Sequence, residues 1–386
     1  MKRIHRLALA ACGLGVASAL IGSGVATADP SGTPPANGYD RVLQGGGSDT
    51  TEEVMNGLAD VITSPGGTGL PAAGDKMIAS WNATGGAIQT RATGCNYSAA
   101  VAGSYVEGRR PNGSGQGVNA LKDAFTAGKP TQGCLDFARS SSNGSGTNTP
   151  QLAYIPFAKD AVAFAVSATS TIPRTLTLAD VQAIYTCQYP GFTGANPTKK
   201  ALLPQAGSGT RSFWLGRMGL TEAAIAVAGA YPCLSDRTDF NGLQALNPGG
   251  TAIQEHRGNV LKSNQIVPIS VSQFISQSQG AAQDYRGTSV LGTVTDGSTT
   301  VSYPVALNST YGTVSSSTPA LNASFTRDVY NVVPTSTLSD PKVDYVFTDT
   351  DGAANGDTSA ICANPATIQR FGFGLISNCG STTNVY

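Results

Sequence analysis

Apolar, β-branched runs alternate along this chain with runs of helical period, and glycine clusters mark the junctions between them. "AYIPFAKDAVAFAVS", residues 153–167, reads as a buried strand pair or one long bent strand, and "NQIVPISVSQFIS" from residue 264 is a second β-branched run. "GGGSDTTEEVMNGLADVI", from residue 45, places Ser48, Asp49 and Thr50 before a helix. That helix brings Val54, Leu58, Val61 and Ile62 to one face, with Glu52 and Glu53 as capping-box partners. "LTLADVQAIYT" reads as a turn and a short helix capped near Thr177. Such alternation predicts an α/β fold with a largely parallel sheet flanked by helices. At 386 residues the chain is long enough for two domains rather than one.

The first 28 residues read as a signal peptide: Lys2, Arg3 and Arg6, an apolar stretch from Leu14 to Val25, then Ala26-Thr27-Ala28 in the form of a cleavage site. A mature chain would then begin near Asp29. Leu9-Ala10-Ala11-Cys12 offers a competing lipoprotein reading with a lipid on Cys12, but the apolar run before it is shorter than the usual ~7 to 15 residues. Cleavage after Ala28 is the preferred reading, giving a secreted or cell-surface protein. Removing the leader leaves 21 basic against 24 acidic residues, a net charge near −3 that argues against a nucleic-acid partner. Beyond the leader no segment approaches the ~18 unbroken apolar residues of a membrane span. Six cysteines remain, Cys95, Cys134, Cys187, Cys233, Cys362 and Cys379, an even number that favours disulfides in an exported chain. Pairing in sequence order would tie three local loops, although sequence alone leaves the connectivity open.

"LLPQAGSGTRSFWLGRM", residues 202–218, sets Gly207, Ser208, Gly209 and Thr210 in front of a helix-like run. The first turn of a helix leaves N–H groups without partners and carries partial positive charge, so glycines and hydroxyls there suit a small oxyanion. Simple N-capping by Ser208 or Thr210 is the competing reading. The Lys-Ser/Thr ending of a nucleotide P-loop is missing. Three further stretches have similar chemistry: "GGGSDTT", "SWNATGG" with Thr84, and "DFARSSSNGSG" with Arg139, Ser140 and Ser141. Four such junctions together predict one convergent site.

The order of these motifs resembles that of the periplasmic-type phosphate-binding proteins serving bacterial phosphate ABC importers. It runs from Gly45–Thr51 through Thr84–Gly86, "DFARSS", "IPFAKDAVAFAV" and "LTLADVQAIY" to Gly-Ser-Gly-Thr at 207–210, covering roughly residues 42–280. The resemblance implies a two-lobe fold of the type II periplasmic-binding-protein kind, with hinge strands and a ligand cleft between the lobes. It implies contacts from Ser48, Asp49, Thr50, Ala83, Thr84, Ser140 and Ser141 in one lobe and from Ser208, Gly209 and Thr210 in the other, with Arg211 able to add charge. Three positions depart from the family pattern: Pro204 replaces an Arg, Ala206 an Asp, and Ser141 the Asp that accepts the phosphate proton. Arg139 and Asp49 are candidates to restore those two chemistries, an Arg supplying a fork of donors and a carboxylate favouring a ligand that carries a proton.

Catalysis finds little support. His256 is the only histidine after the leader, no Gly-x-Ser-x-Gly elbow occurs, and the carboxylates are scattered without a His pair for metal. His256 is expected at the surface or a hinge. The sequence therefore predicts a monomeric, non-catalytic, secreted solute-binding protein without cofactor, capturing phosphate or a related small oxyanion for an ABC permease. An exported adhesin or cell-wall protein that keeps this fold without transport is the alternative. The expected lobes are discontinuous: residues ~40–160 with ~267–386 form the first and ~161–266 the second.

Overall fold

A computed structural model of the chain describes residues 29–30, 41–238, 251–296, 299–300, 325–348 and 358–386. The leader and Cys12 lie outside the described residues. β1 (Leu43–Gly47) is buried along its whole length and leads into α1 (Glu52–Val61). Gly45 lets this strand lie against Phe137, since a Cβ there would stand 2.2 Å from the ring. α1 buries Val54, Met55, Leu58 and Ala59, whereas Val61, expected on the same face, is 49% exposed. The expected capping box does not form. Thr51 is the N-cap and its side chain makes no capping bond, because Glu52 instead accepts from the Ala83 N–H and Glu53 from Gln273.

β2 (Ile78–Ser80) follows, then the small antiparallel pair β3 (Ile88–Gln89) and β4 (Asn96–Tyr97), α2 (Ser114–Ala124) and β5 (Phe137–Ser140). β6 (Leu152–Ser167) is one continuous strand of 16 residues, roughly 50 Å long at about 3.3 Å per residue. Beyond it come β7 (Thr175–Thr177) and α3 (Leu178–Tyr185), whose N-cap Thr177 makes the full capping box with Asp180. β8 (Lys200–Leu202), α4 (Gly209–Arg217), α5 (Glu222–Ile225), β9 (Leu234–Ser235), β10 (Gln265–Ser270) and α6 (Val271–Ser278) continue the alternation. β11 (Ser289–Leu291), β12 (Thr293–Asp296), β13 (Thr299–Thr300) and β14 (Thr326–Pro334) complete the strands among the described residues.

The main sheet has nine strands in the order β2-β1-β5-β14-β6-β10-β8-β9, with β11 also on β6; β13, β12 and β7 form a separate small sheet. Its two wings are parallel, as the alternation predicts: β2-β1-β5 at one end and β10-β8-β9 at the other. The centre is antiparallel, because β6 and β14 run past each other in opposite directions from Leu152/Pro334 to Ala161/Thr326. The buried apolar residues divide at the same place. Ala153, Ile155, Phe157 and Ala158 of β6 and Val329 and Val333 of β14 pack with α1, while Val162, Phe164, Val166 and Phe325 pack with α3 and α4. Two lobes of the binding-protein type thus share β6 and β14 as crossing strands. Val267, Ile269, Val271, Phe274, Ile275 and Leu291 pack with Ala161, Ala163 and Ala165, since β10 pairs with the second half of β6.

The six cysteines join in sequence order, Cys95–Cys134, Cys187–Cys233 and Cys362–Cys379. Among the described residues no helix is long and apolar enough to cross a membrane.

Candidate functional site

The cores change over where β6 and β14 each bury one member of an adjacent charge pair, Asp160 beside Lys159 and Arg327 beside Asp328. Asp160 of β6 and Arg327 of β14 are direct cross-strand neighbours, 0% and 7% exposed. Arg327 donates to Asp160 Oδ2 through Nε at 3.1 Å and Nη2 at 2.9 Å. The other oxygen of Asp160 accepts from the Ser270 hydroxyl at 2.8 Å and the Ser272 N–H at 3.2 Å. This fixes the guanidinium in one orientation. Nη2 also donates to Thr210 Oγ1 at 2.9 Å and Thr50 Oγ1 at 3.2 Å, and Nη1 is buried with no hydrogen-bond partner.

Around that guanidinium the two lobes meet through hydroxyls. Thr50 follows the end of β1 and Thr210 lies in the first turn of α4; their oxygens are 3.3 Å apart. Ser141 Oγ lies 3.2 Å from Thr50 Oγ1, and Ser114, at the start of α2, lies 3.3 Å from Ser141. Ser208 caps α4 by accepting from the Arg211 N–H at 3.0 Å. Gly209 approaches so closely that a Cβ would stand 2.2 Å from Ser141 Oγ and 2.5 Å from Ser114 Oγ. The Gly115 N–H donates to the Gly207 carbonyl at 3.2 Å, a direct backbone contact between lobes.

Into this cradle reaches a carboxylate. Glu255, 3% exposed, accepts at Oε2 from Thr50 at 2.9 Å and Thr210 at 3.1 Å, with His256 Nε2 3.1 Å away. Burial pushes its carboxyl upward, but His256, Ser208 and the Arg327 charge outweigh that and hold it at about 2. His256, expected at the surface or a hinge, is 5% exposed and lines the cavity beside the cradle.

The other sequence candidates separate. Asp49 and Thr84 line a cavity of about 400 Å3 next to the cradle. Arg139 is fully buried and tied into the first lobe, donating to the Ser48 carbonyl at 3.1 Å and to Ser80 Oγ and the Trp81 carbonyl at 2.7 Å each; Glu52 is 3.9 Å away. Ser48 is buried with its hydroxyl unpartnered, and Ser140 turns its hydroxyl to the Ser142 carbonyl. Ala83 uses its N–H on Glu52. Arg211 turns inward and is held by Glu222, Asp236 and the Pro204 carbonyl. Thr50, Ser141, Ser208, Gly209 and Thr210 are therefore the candidates brought together, and Asp160, Arg327, Glu255 and Ser114 join them. The sequence signal for the first two was a pair of adjacent opposite charges in each strand, Lys159-Asp160 and Arg327-Asp328, of which one member is buried. Among the described residues no group of three or more His, Cys, Asp or Glu is placed to hold a metal ion.

Two α/β lobes on a pair of crossing strands, meeting through helix N-termini over a polar cleft, define a binding-protein architecture. The chain belongs to the PBP superfamily, whose domain matches residues 79–346. No curated protein matches it. Solved structures that it resembles include a putative phosphate ABC transporter substrate-binding protein with bound phosphate from Clostridium perfringens. That match has 14% identity and a TM-score of 0.45 over 87% of this chain and 100% of that one. An ABC-type phosphate transport receptor from Vibrio cholerae has 13% identity and a TM-score of 0.43, with 86% and 100% covered. A phosphate-binding protein from Stenotrophomonas maltophilia has 14% identity and a TM-score of 0.40, with 88% and 92% covered.

Proposed function

We propose that this chain is a secreted or surface-held solute-binding protein that captures phosphate or a related small oxyanion for an ABC permease, without catalysis of its own. One observation carries the reading: the buried Arg327, oriented by Asp160, presents an unpartnered Nη1 beside hydroxyls supplied by both lobes. A guanidinium and several hydroxyl donors converging in a desolvated cleft favour a small anion with several acceptor oxygens. Arg327 takes the role that the sequence offered to Arg139, and Glu255 the acceptor role that it offered to Asp49. A carboxylate facing the anion favours a ligand that carries a proton, hydrogen phosphate over sulfate.

Thr50 and Thr210 touch each other in this closed arrangement, so the anion enters when the lobes part. We place the division at the crossings themselves: among the described residues, those within 41–160 and 326–386 fall in the first lobe and those within 161–325 in the second. β6 and β14 then form the hinge. Isothermal calorimetry with phosphate, arsenate and sulfate tests the function. Phosphate should bind, and Arg327→Ala should weaken it by about 30-fold or more, the loss of a charged partner in a desolvated site. No heat with any oxyanion would leave the adhesin reading in its place.

A further inference from the structure

The cavity of about 400 Å3 has a different chemistry from the cradle, with which it shares Glu255. Its wall carries the carboxyls of Asp49, Glu52, Glu53 and Glu255 against one guanidinium, Arg257, and one imidazole, His256. Arg257 lies over the Tyr285 ring at 4.2 Å. Two acceptors in the wall are orphaned: Glu255 Oε1 and Asn56 Oδ1, on residues 3% and 7% exposed, have no hydrogen-bond partner. Buried acceptors without donors are costly, and a ligand that brings donors relieves that cost. The volume lies in the range of pockets that enclose small organic molecules.

We propose that this cavity binds a small organic cation, an amine or guanidinium compound whose N–H groups meet Glu255 Oε1 and Asn56 Oδ1 while the surrounding carboxylates balance its charge. The site goes beyond the oxyanion reading and stands without it. It also has a proton signature. Burial, then the Glu53 carboxylate, push Glu52 up to about 8, opposed by Arg139, the Ala83 N–H and Arg110. Burial, then Glu52, Glu255 and Glu53, raise Asp49 well above the usual carboxylate range, opposed by Arg257. Near neutral pH the Glu52 carboxyl holds a proton that a bound cation displaces. Binding therefore releases a proton and tightens as pH rises toward 8.

Calorimetry on the full chain, at constant ionic strength, tests this with 1,4-diaminobutane and agmatine as probes and the neutral 1,4-butanediol as control. At least one cation should bind about tenfold more tightly at pH 8 than at pH 6, with heats that differ between Tris and HEPES because a proton is released. Glu53→Gln should weaken it about tenfold while leaving phosphate binding unchanged. Asn56→Leu, checked for folding by circular dichroism, should do the same. Cation binding without phosphate binding would sink the oxyanion reading and support this one. The proposal is overturned if neither cation binds the folded protein, if the diol binds as well as the diamine, or if affinity falls as pH rises.

Discussion

Arg327 and Asp160 face each other on neighbouring antiparallel strands at the point where the chain passes between lobes, joined by two hydrogen bonds of 3.1 and 2.9 Å to one carboxylate oxygen. A charge pair at this depth stands with both partners desolvated, so removing one leaves the other uncompensated. Asp160→Ala is therefore expected to destabilise the protein by about 3–5 kcal/mol, and Arg327→Ala by a similar amount. The double variant should cost less than the sum. Urea denaturation of the three variants measures this; additive losses would show that the charges act independently.

Arg139 and Arg327 make opposite predictions. Arg139 donates to Ser48, Ser80 and Trp81 within one lobe. Arg139→Ala leaves these buried acceptors short of a donor and should cost about 3 kcal/mol of stability. The folded fraction should keep its phosphate affinity to within about threefold, since Arg139 has no place in the cradle. A 30-fold loss with unchanged stability would return Arg139 to the site.

Acid should weaken the fold through Glu255. Its folded carboxyl sits at about 2, below the ordinary value of 4.5, so the unfolded chain binds the extra proton between those values. The stabilisation, on the order of 3 kcal/mol, is present above about pH 4.5 and is lost as pH falls through about 2. Glu52 has the opposite sign. Raised to about 8, it contributes stability at low pH that is lost as pH rises through that value. Denaturation midpoints of Glu255→Gln and Glu52→Gln across pH 2–9 should flatten the acid and the alkaline limb respectively; parallel curves would show that neither group sets the slope.

Gly209 controls how closely the lobes meet. Because a Cβ there would stand 2.2 Å from Ser141 Oγ, Gly209→Ala should hold α4 away from α2 while keeping the helix intact. Phosphate affinity should drop about tenfold or more, and small-angle scattering should show less compaction on adding phosphate than in the unsubstituted protein. Equal compaction would show that the lobes close without this contact.

Much of the architecture was legible in the residues themselves. The strand-helix alternation, the cap at Thr177, the Ser208–Thr210 junction and the cysteine set all depend on neighbours within a few positions, where local backbone preference decides. The single long β6 and the antiparallel centre were less visible, because strand direction is settled by partners far along the chain. The site divides along the same line. Thr50, Ser141 and Thr210 announced themselves beside glycines, while Arg139 drew attention only because it stood next to Ser140 and Ser141. Arg327 is 167 residues from Asp160 and 277 from Thr50, and Glu255 is 205 from Thr50. Which arginine meets the hydroxyls, and which carboxylate enters the cradle, is decided by the crossing of β6 and β14. Burial makes an unpaired charge costly there, so only the closed tertiary structure can select the partners.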